Sequence, residues 1–294
     1  MKYINQAPKE LKAQSAAFKK KWTSHDQLVY HGWIIQPKYD GVHVMIHTDG
    51  YVSTRTGEEV LSVPHLLAQA QQCFGPGHVM FCEAYKFDTP HKDINGAVRR
   101  QYPQPDLIGV VYDTVTQAEF DAGASPLLYW QRFDHAALCV HGAPSLMVPP
   151  EYQFEGEDSV NVDKLALEYK NHQTDAYDGL ILRDATAPWA AGAAKEGEVI
   201  KVKPSMSLDL LVVGHRVEIK PTKLGGAITV VYNGVESDVG SGLTQTILEA
   251  LSQGARAAGR IAEIECLGVT PDGKLREPRF KGFRYDTVNE EMKE

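Results

Sequence analysis

Gln36-Pro37-Lys38-Tyr39-Asp40-Gly41 stands between an apolar run, Trp33-Ile34-Ile35, and an alternating one, Val42-His43-Val44-Met45-Ile46-His47. Alternation of period two predicts a strand with one buried face, and Asp-Gly predicts a tight turn. Lys38 then lies at the end of one strand, just before a turn into the next, with Asp40 beside it. Partial burial disfavours the charged form of an amine, and a neutral amine is a nucleophile. A lysine so placed is a candidate covalent catalyst. A surface lysine beside a hairpin turn fits the same spacing, and spacing alone favours that plainer reading.

Working outward, the chain of 294 residues predicts about two domains, at roughly 100–200 residues each. With 43% hydrophobic and 23% charged residues, a soluble globular protein is expected. No apolar run approaches the roughly 20 residues that cross a bilayer. Met1-Lys2-Tyr3-Ile4-Asn5 lacks the apolar core of a signal peptide. The expectation is an intracellular, cytoplasmic protein with no membrane partner. Cys73, Cys82, Cys139 and Cys266 form no Cys-x-x-Cys pair, so reduced thiols and no zinc are expected. The net charge of -8 argues by itself against a nucleic-acid partner. Local basic groups qualify that: Lys19-Lys20-Lys21, Arg99-Arg100, Lys201 with Lys203, and Arg276 to Arg284.

In chain order, residues 10–22 suggest an amphipathic helix and 42–61 a hairpin turning at Thr48-Asp49-Gly50, followed by Arg55-Thr56-Gly57. Residues 62–75 have helical spacing and stop at Pro76-Gly77. Val79-Met80-Phe81-Cys82 reads as a buried strand. Glu83 at its end must find a partner or face a cleft. Asn95-Gly96 predicts a turn, and Leu107 to Asp113 another buried strand carrying Tyr112. Residues from 115 onward read as a polar linker, then a helix from Trp130 to Val140. Another helix is expected over 160–172. The Ala- and Gly-rich run from Thr186 to Gly197 reads as a flexible loop. Lys201 and Lys203, two apart in a strand, share one face, and two ammonium groups there call for an anion between them. After Pro204 come short strands, glycine turns and one helix, Leu243 to Gln253, which suggests a small barrel. For Glu83, Tyr112, Arg55 and the basic clusters, a structural ion pair, a core ring, a strand cap or a solvated face remains open.

Taken in order, several motifs resemble those shared by ATP-dependent DNA ligases, RNA ligases and mRNA-capping enzymes. They are Lys38-Tyr39-Asp40-Gly41, Glu83, Tyr112-Asp113, Asp178-Gly179-Leu180-Ile181-Leu182-Arg183 and Lys201-Val202-Lys203. The ending from Thr270 to Asp286, with Pro278-Arg279-Phe280, resembles compact bacteriophage-type and bacterial DNA ligases. The resemblance runs from about residue 30 to residue 286. It implies an α+β chain: an adenylyltransferase (ATP-grasp-like) domain of antiparallel sheets and helices over 1–206, then a small β-barrel OB-fold over 207–294.

The resemblance further implies a monomeric ATP-dependent DNA ligase that acts in repair, replication and recombination. It would seal nicked double-stranded DNA through a lysyl-AMP on Lys38 and a DNA-adenylate. Implied catalytic residues are Lys38, Asp40, Lys201 and Lys203. Gln36, Lys38, Arg55, Glu83, Tyr112, Arg183, Lys201, Lys203 and Arg284 would bind ATP. Glu83 and Asp178 would hold Mg²⁺, with Mn²⁺ as a substitute. His43, Arg55, Arg99, Arg100, Arg279 and Lys281 would touch DNA. The second domain is expected to swing over the ATP site and bring Arg284 to the leaving pyrophosphate. Three positions depart from the family pattern: His43 for Arg, Gln36 for Glu and Asp178 for Glu. An RNA ligase or capping-type nucleotidyltransferase shares the first motifs, and a non-enzymatic nucleic-acid-binding OB protein would need no Lys38.

Overall fold

The computed structural model describes residues 6–10, 14–18, 32–152, 162–171, 177–270 and 272–284. Lys19-Lys20-Lys21, most of the helix expected over 10–22, and the end of the tail from residue 285 lie outside the described residues. The chain falls into two compact units, Met1–Pro204 and Ser205–Glu294.

The first unit begins with β1 (Gln6–Ala7), β2 (Trp33–Tyr39), β3 (Val42–His47), β4 (Tyr51–Thr54), α1 (Pro64–Phe74), β5 (His78–Tyr85) and α2 (His91–Val98). It continues with β6 (Ile108–Thr116), α3 (Gln117–Ala122), β7 (Ala124–Leu128), α4 (Tyr129–Val140), β8 (Leu146–Met147) and α5 (Val162–Asn171). It ends with β9 (Tyr177–Asp184), β10 (Pro188–Ala190), β11 (Gly192–Ala193) and β12 (Val199–Val202). Its larger sheet runs β4-β3-β5-β6-β8, and a second sheet runs β12-β9-β2. On one face of the larger sheet, Val44, Ile46, Met80, Cys82 and Val111 pack with Leu66 and Ala70 of α1 and Ala136 and Val140 of α4. On the other, Met45, Val79, Phe81 and Val115 meet Phe120 and Trp189. Burial on both faces is why β5 reads as an unbroken apolar run rather than an alternating one.

The turn expected at Asp40-Gly41 joins two sheets instead of closing a hairpin. β2 pairs with β9, whereas β3 pairs with β4 and β5. Gly41 permits the crossing: a Cβ there would collide with the Ala84 carbonyl oxygen and lie 2.8 Å from Glu83 Cγ. Three further expectations are corrected. Asn95-Gly96 lies within α2, where Ile94 and Val98, one helical turn apart, are buried and outweigh the weak helix preference of Gly96. The linker expected after residue 115 holds α3, started by a Thr116/Glu119 capping box, and β7. The run from Thr186 to Gly197 holds β10 and β11, because Trp189 is 1% exposed and stacks on Phe81 with centroids 5.5 Å apart.

The second unit comprises β13 (Met206–Ile219), β14 (Leu224–Tyr232), β15 (Val235–Val239), α6 (Gln245–Ser252), β16 (Ile261–Cys266) and β17 (Arg279–Phe283). The strands are antiparallel neighbours in the order β15-β14-β13-β16-β17. Val212, Ile228, Val230, Val239, Ile264 and Phe280 fill the core beside Leu251 of α6. A bridge between Ser241 and Arg279 ties the segment after β15 to β17, but the described strands form no continuously closed barrel. No helix among the described residues is long and apolar enough to cross a membrane.

Candidate active site

The sheet change at Asp40-Gly41 places Lys38 beside residues far away in sequence. Pro37 pairs with Leu180, and Tyr39 with Tyr177, so the end of β2 lies against the start of β9. Asp178 is there, its side chain 2% exposed, with one carboxylate oxygen 3.0 Å from Lys38 Nζ and 2.8 Å from Lys203 Nζ. Burial pushes the Asp178 carboxyl up, but Lys38 and Lys203 outweigh that and hold it below the usual carboxylate range. Gly179 makes the approach possible. It has φ +132, and a Cβ would collide with the Val202 carbonyl oxygen and press on Pro204 Cδ at 3.1 Å. Both glycines in the sequence motifs thus serve close backbone approach.

Glu83 faces His43 across the β3–β5 ladder. Burial pushes its carboxyl up to about 7. Lys38 and a hydrogen bond from the Gly41 backbone N–H pull it down, while Asp40 and Asp178 add to the rise. Asp40 anchors the neighbouring helix: His91 Nδ1 lies 3.2 Å from its carbonyl oxygen and 3.7 Å from its carboxylate.

An aromatic compartment is built from the same strands. Tyr112 Oη lies 2.5 Å from His43 Nδ1. The Arg183 guanidinium sits 4.8 Å from the Tyr112 ring centroid and 4.9 Å from that of Tyr129. Gln36 Nε2 donates to Tyr129 Oη at 3.1 Å, and Tyr129 Oη donates to the Tyr112 carbonyl at 3.0 Å. Burial, then Arg55 and Arg183, push the His43 imidazole down to about 4. A neutral imidazole at pH 7 follows from that direction, in keeping with the departure from arginine at this position. His43 Nε2 and Arg183 Nε are buried without hydrogen-bond partners among the described residues.

Of the residues singled out in the sequence, the structure brings together Lys38, Asp40, Glu83, Asp178 and Lys203, and beside them Gln36, His43, Tyr112 and Arg183. Arg55 is exposed and lowers His43 through its charge. Lys201 sits on β12 opposite Ile181 of β9. An anion does stand beside Lys203, but it is the chain's own Asp178, and the second ammonium on that oxygen is Lys38. Arg99 and Arg100 are exposed at the end of α2, where Arg100 donates to Gln104 at 3.2 Å and lies over Tyr102. Arg279, Lys281 and Arg284 belong to the second unit. There Lys281 pairs with Glu265 at 2.8 Å, and Arg284 with Asp209 at 2.9 Å and Glu263 at 3.2 Å.

Two contributors escape sequence reasoning. Tyr129 opens α4, and nothing in its local sequence points to Gln36. Arg132, one turn on, grips Asp113 through Nε and Nη2 at 2.8 and 3.0 Å, deep in the core. The acid that follows Tyr112 is thus part of a buried ion pair supporting β6.

Among the described residues no three metal-ligating side chains converge. Glu83 and Asp178 suit Mg²⁺ all the same, because that ion binds through one or two carboxylates, with phosphates and water completing its shell.

No family model and no curated protein matches the chain. Solved structures do. One described as "Pmar-Lig_Pre." superposes with a TM-score of 0.75 at 19% identity, over 96% of this chain and 68% of that one. A structure from work on Lig E DNA ligases gives 0.70 at 16% identity, over 96% of this chain and 99% of its own. The ATP-dependent DNA ligase from bacteriophage T7, in complex with ATP, gives 0.56 at 16%, with the same coverages of 96% and 99%. The chain therefore has the fold of compact ATP-dependent DNA ligases.

Proposed function

We propose that this chain is an ATP-dependent DNA ligase that seals nicks in duplex DNA through a lysyl-AMP and a DNA-adenylate. The observation that carries this reading is Lys38, at the end of β2, sharing one Asp178 oxygen with Lys203 inside a ligase fold. The two units are read as the adenylyltransferase and OB domains, and the antiparallel five-stranded sheet with α6 beside it supports the second.

In the first step Lys38 leaves Asp178, loses a proton and attacks the α-phosphate of ATP. A P–N bond forms, the bond to the bridging oxygen breaks, and pyrophosphate departs. Lys203 and Lys201 offset the charge on the phosphate, an effect of fixed electrostatics in a water-poor site. Tyr112, Arg183, Tyr129 and Gln36 form the purine end. His43, which meets Tyr112 and pairs with Glu83 across the ladder, and Glu83, whose carboxyl feels the Lys38 charge, are read as the sugar's neighbours. In the second step an oxygen of the DNA 5′-phosphate displaces Lys38 from the AMP phosphorus. In the third the 3′-hydroxyl attacks that 5′-phosphate and AMP leaves. Bound Mg²⁺, held by Glu83 and Asp178, would supply further neutralisation of phosphate charge.

Intact-mass measurement after incubation with ATP and Mg²⁺ tests the reading: wild type should gain one AMP and Lys38→Ala none. An adduct on Lys38→Ala removes Lys38 from its role. Sealing of nicked DNA against nicked RNA then separates a DNA ligase from an RNA ligase or capping-type enzyme.

A further inference from the structure

Cys73 and Cys139 take no part in the site, and the fold sets them on facing stripes of two helices. α1 and α4 cover the same face of the larger sheet, where Leu66 and Ala70 of the first pack with Ala136 and Val140 of the second. Two contacts fix how the helices run past each other. The Phe74 ring, at the end of α1, meets the His135 ring nearly at right angles, with centroids 5.5 Å apart. Further back on α1, Gln69 accepts from the Ser145 N–H, beyond the end of α4, at 2.8 Å. The helices are therefore antiparallel, and the stretch between these contacts is common to both. Cys73 follows Gln69 by four residues, and Cys139 follows His135 by four. Each cysteine thus stands one helical turn along the stripe that makes one of the two contacts.

The pair is close enough to interact. Burial pushes the Cys139 thiol up, and the charge of a Cys73 thiolate pushes it further. Ala70 and Ala136, both 0% exposed, let the helices approach. On helices packed roughly 8–10 Å apart, facing Cα atoms are about 4–6 Å from each other. A disulfide needs about 4.4–6.8 Å between Cα atoms. Both thiols are half-buried and within reach of a small oxidant, whereas Cys82 and Cys266 are sealed in the two cores at 0% and 1% exposure.

We propose that Cys73 and Cys139 are a dithiol modification site, which disulfide oxidants close into a bond that staples α1 to α4. One thiolate of the pair attacks a sulfur of a glutathione-type disulfide, whose S–S bond breaks as one glutathione leaves. The second thiolate attacks the protein-side sulfur of the mixed disulfide, and the other glutathione leaves. The pair gives up two electrons and two protons, and the oxidant takes them up as two thiols. Burial raises both thiols and so holds back the thiolate, which makes closure slow near pH 7 and faster in mild alkali.

The test exposes the reduced, folded full chain to oxidised glutathione at about pH 8.5, where thiolates form. The protein is then quenched in acid, unfolded and labelled with N-ethylmaleimide. Wild type should take two labels, against four for the reduced protein, and peptide mapping should find Cys73 joined to Cys139. Cys73→Ser and Cys139→Ser should each keep one glutathione on the remaining thiol, because no second thiol resolves the mixed disulfide. Oxidised wild type should melt about 5–10 °C above the reduced form, since the bridge closes a long loop of the unfolded chain. Dithiothreitol should remove that difference. Four labels on wild type, a glutathione left on each cysteine, a bridge to Cys82 or Cys266, or an unchanged melting temperature would overturn the staple.

Discussion

Glu83→Gln should flatten the pH dependence of stability. In the folded chain, burial holds the Glu83 carboxyl up to about 7, against an ordinary value of 4.5. The folded state therefore keeps a proton that the unfolded chain releases throughout that window. Glu83 favours the folded state fully below pH 4.5, and that contribution is lost as pH rises through 7. At roughly 1.4 kcal/mol per pH unit, the loss amounts to about 3 kcal/mol. Glutamine keeps the shape and the neutral form, so Glu83→Gln should be the more stable protein at pH 7.5, and the two should converge near pH 4.5. Asp178, held low, and His43, pushed down to about 4, act in the opposite sense, each stabilising at higher pH and losing that as pH falls. They are present in both proteins, so the difference between the two isolates Glu83. Urea denaturation at pH 4.5, 6 and 7.5 gives that difference directly. A constant gap across the three pH values would mean that Glu83 is ionised throughout, and the argument from its burial would fail.

Asp178→Asn should leave Lys38 and Lys203 without their shared anion. Adduct formation should fall at least tenfold, while metal-free pyrophosphate, followed by calorimetry, should bind more tightly than to wild type; weaker binding would show that Asp178 does not compete with phosphate. Asp113→Ala should cost about 3–5 kcal/mol in denaturation, because Arg132 would stay buried without its carboxylate. Its adduct formation, measured well below the melting temperature, should remain within a few-fold of wild type.

The candidate site was legible wherever a residue type answers a local chemical demand. Gly41 and Gly179 mark places where backbone passes too close for a Cβ, and Lys38, Asp178 and Lys203 form the charge cluster that such close approach creates. The strands were legible too, and the unbroken apolar runs in β5 and β6 report cover on both faces, but the alternation in β3 predicted one buried face and both are covered, Val44 and Ile46 on one side and Met45 and His47 on the other. What the sequence hid is set by contacts between distant segments. Asp-Gly looks the same whether it closes a hairpin or carries the chain into another sheet, and only the pairing of β2 with β9 distinguishes them. The segment around Trp189 has loop composition, yet one indole packed on Phe81 and Phe120 fixes it. Tyr129 reaches Gln36 across 93 residues, a partnership invisible to any local pattern.

The charge arrangement bears on why an aspartate serves where the resemblance leads one to expect a glutamate. Asp178 touches two ammonium groups through one oxygen, so without nucleotide the cluster of Lys38, Lys203 and Asp178 is already largely offset. A phosphate entering it adds a second anion, and the three charges can then be rearranged without leaving any ammonium buried alone. In the proposed reaction Lys38 is the group that must leave, because an amine bonded to a carboxylate as an ammonium has no lone pair for phosphorus. Lys203 can keep Asp178 while Lys38 turns to the phosphate, so the carboxylate remains paired throughout. The shorter arm of aspartate keeps that oxygen close to the β9 backbone and to Lys203.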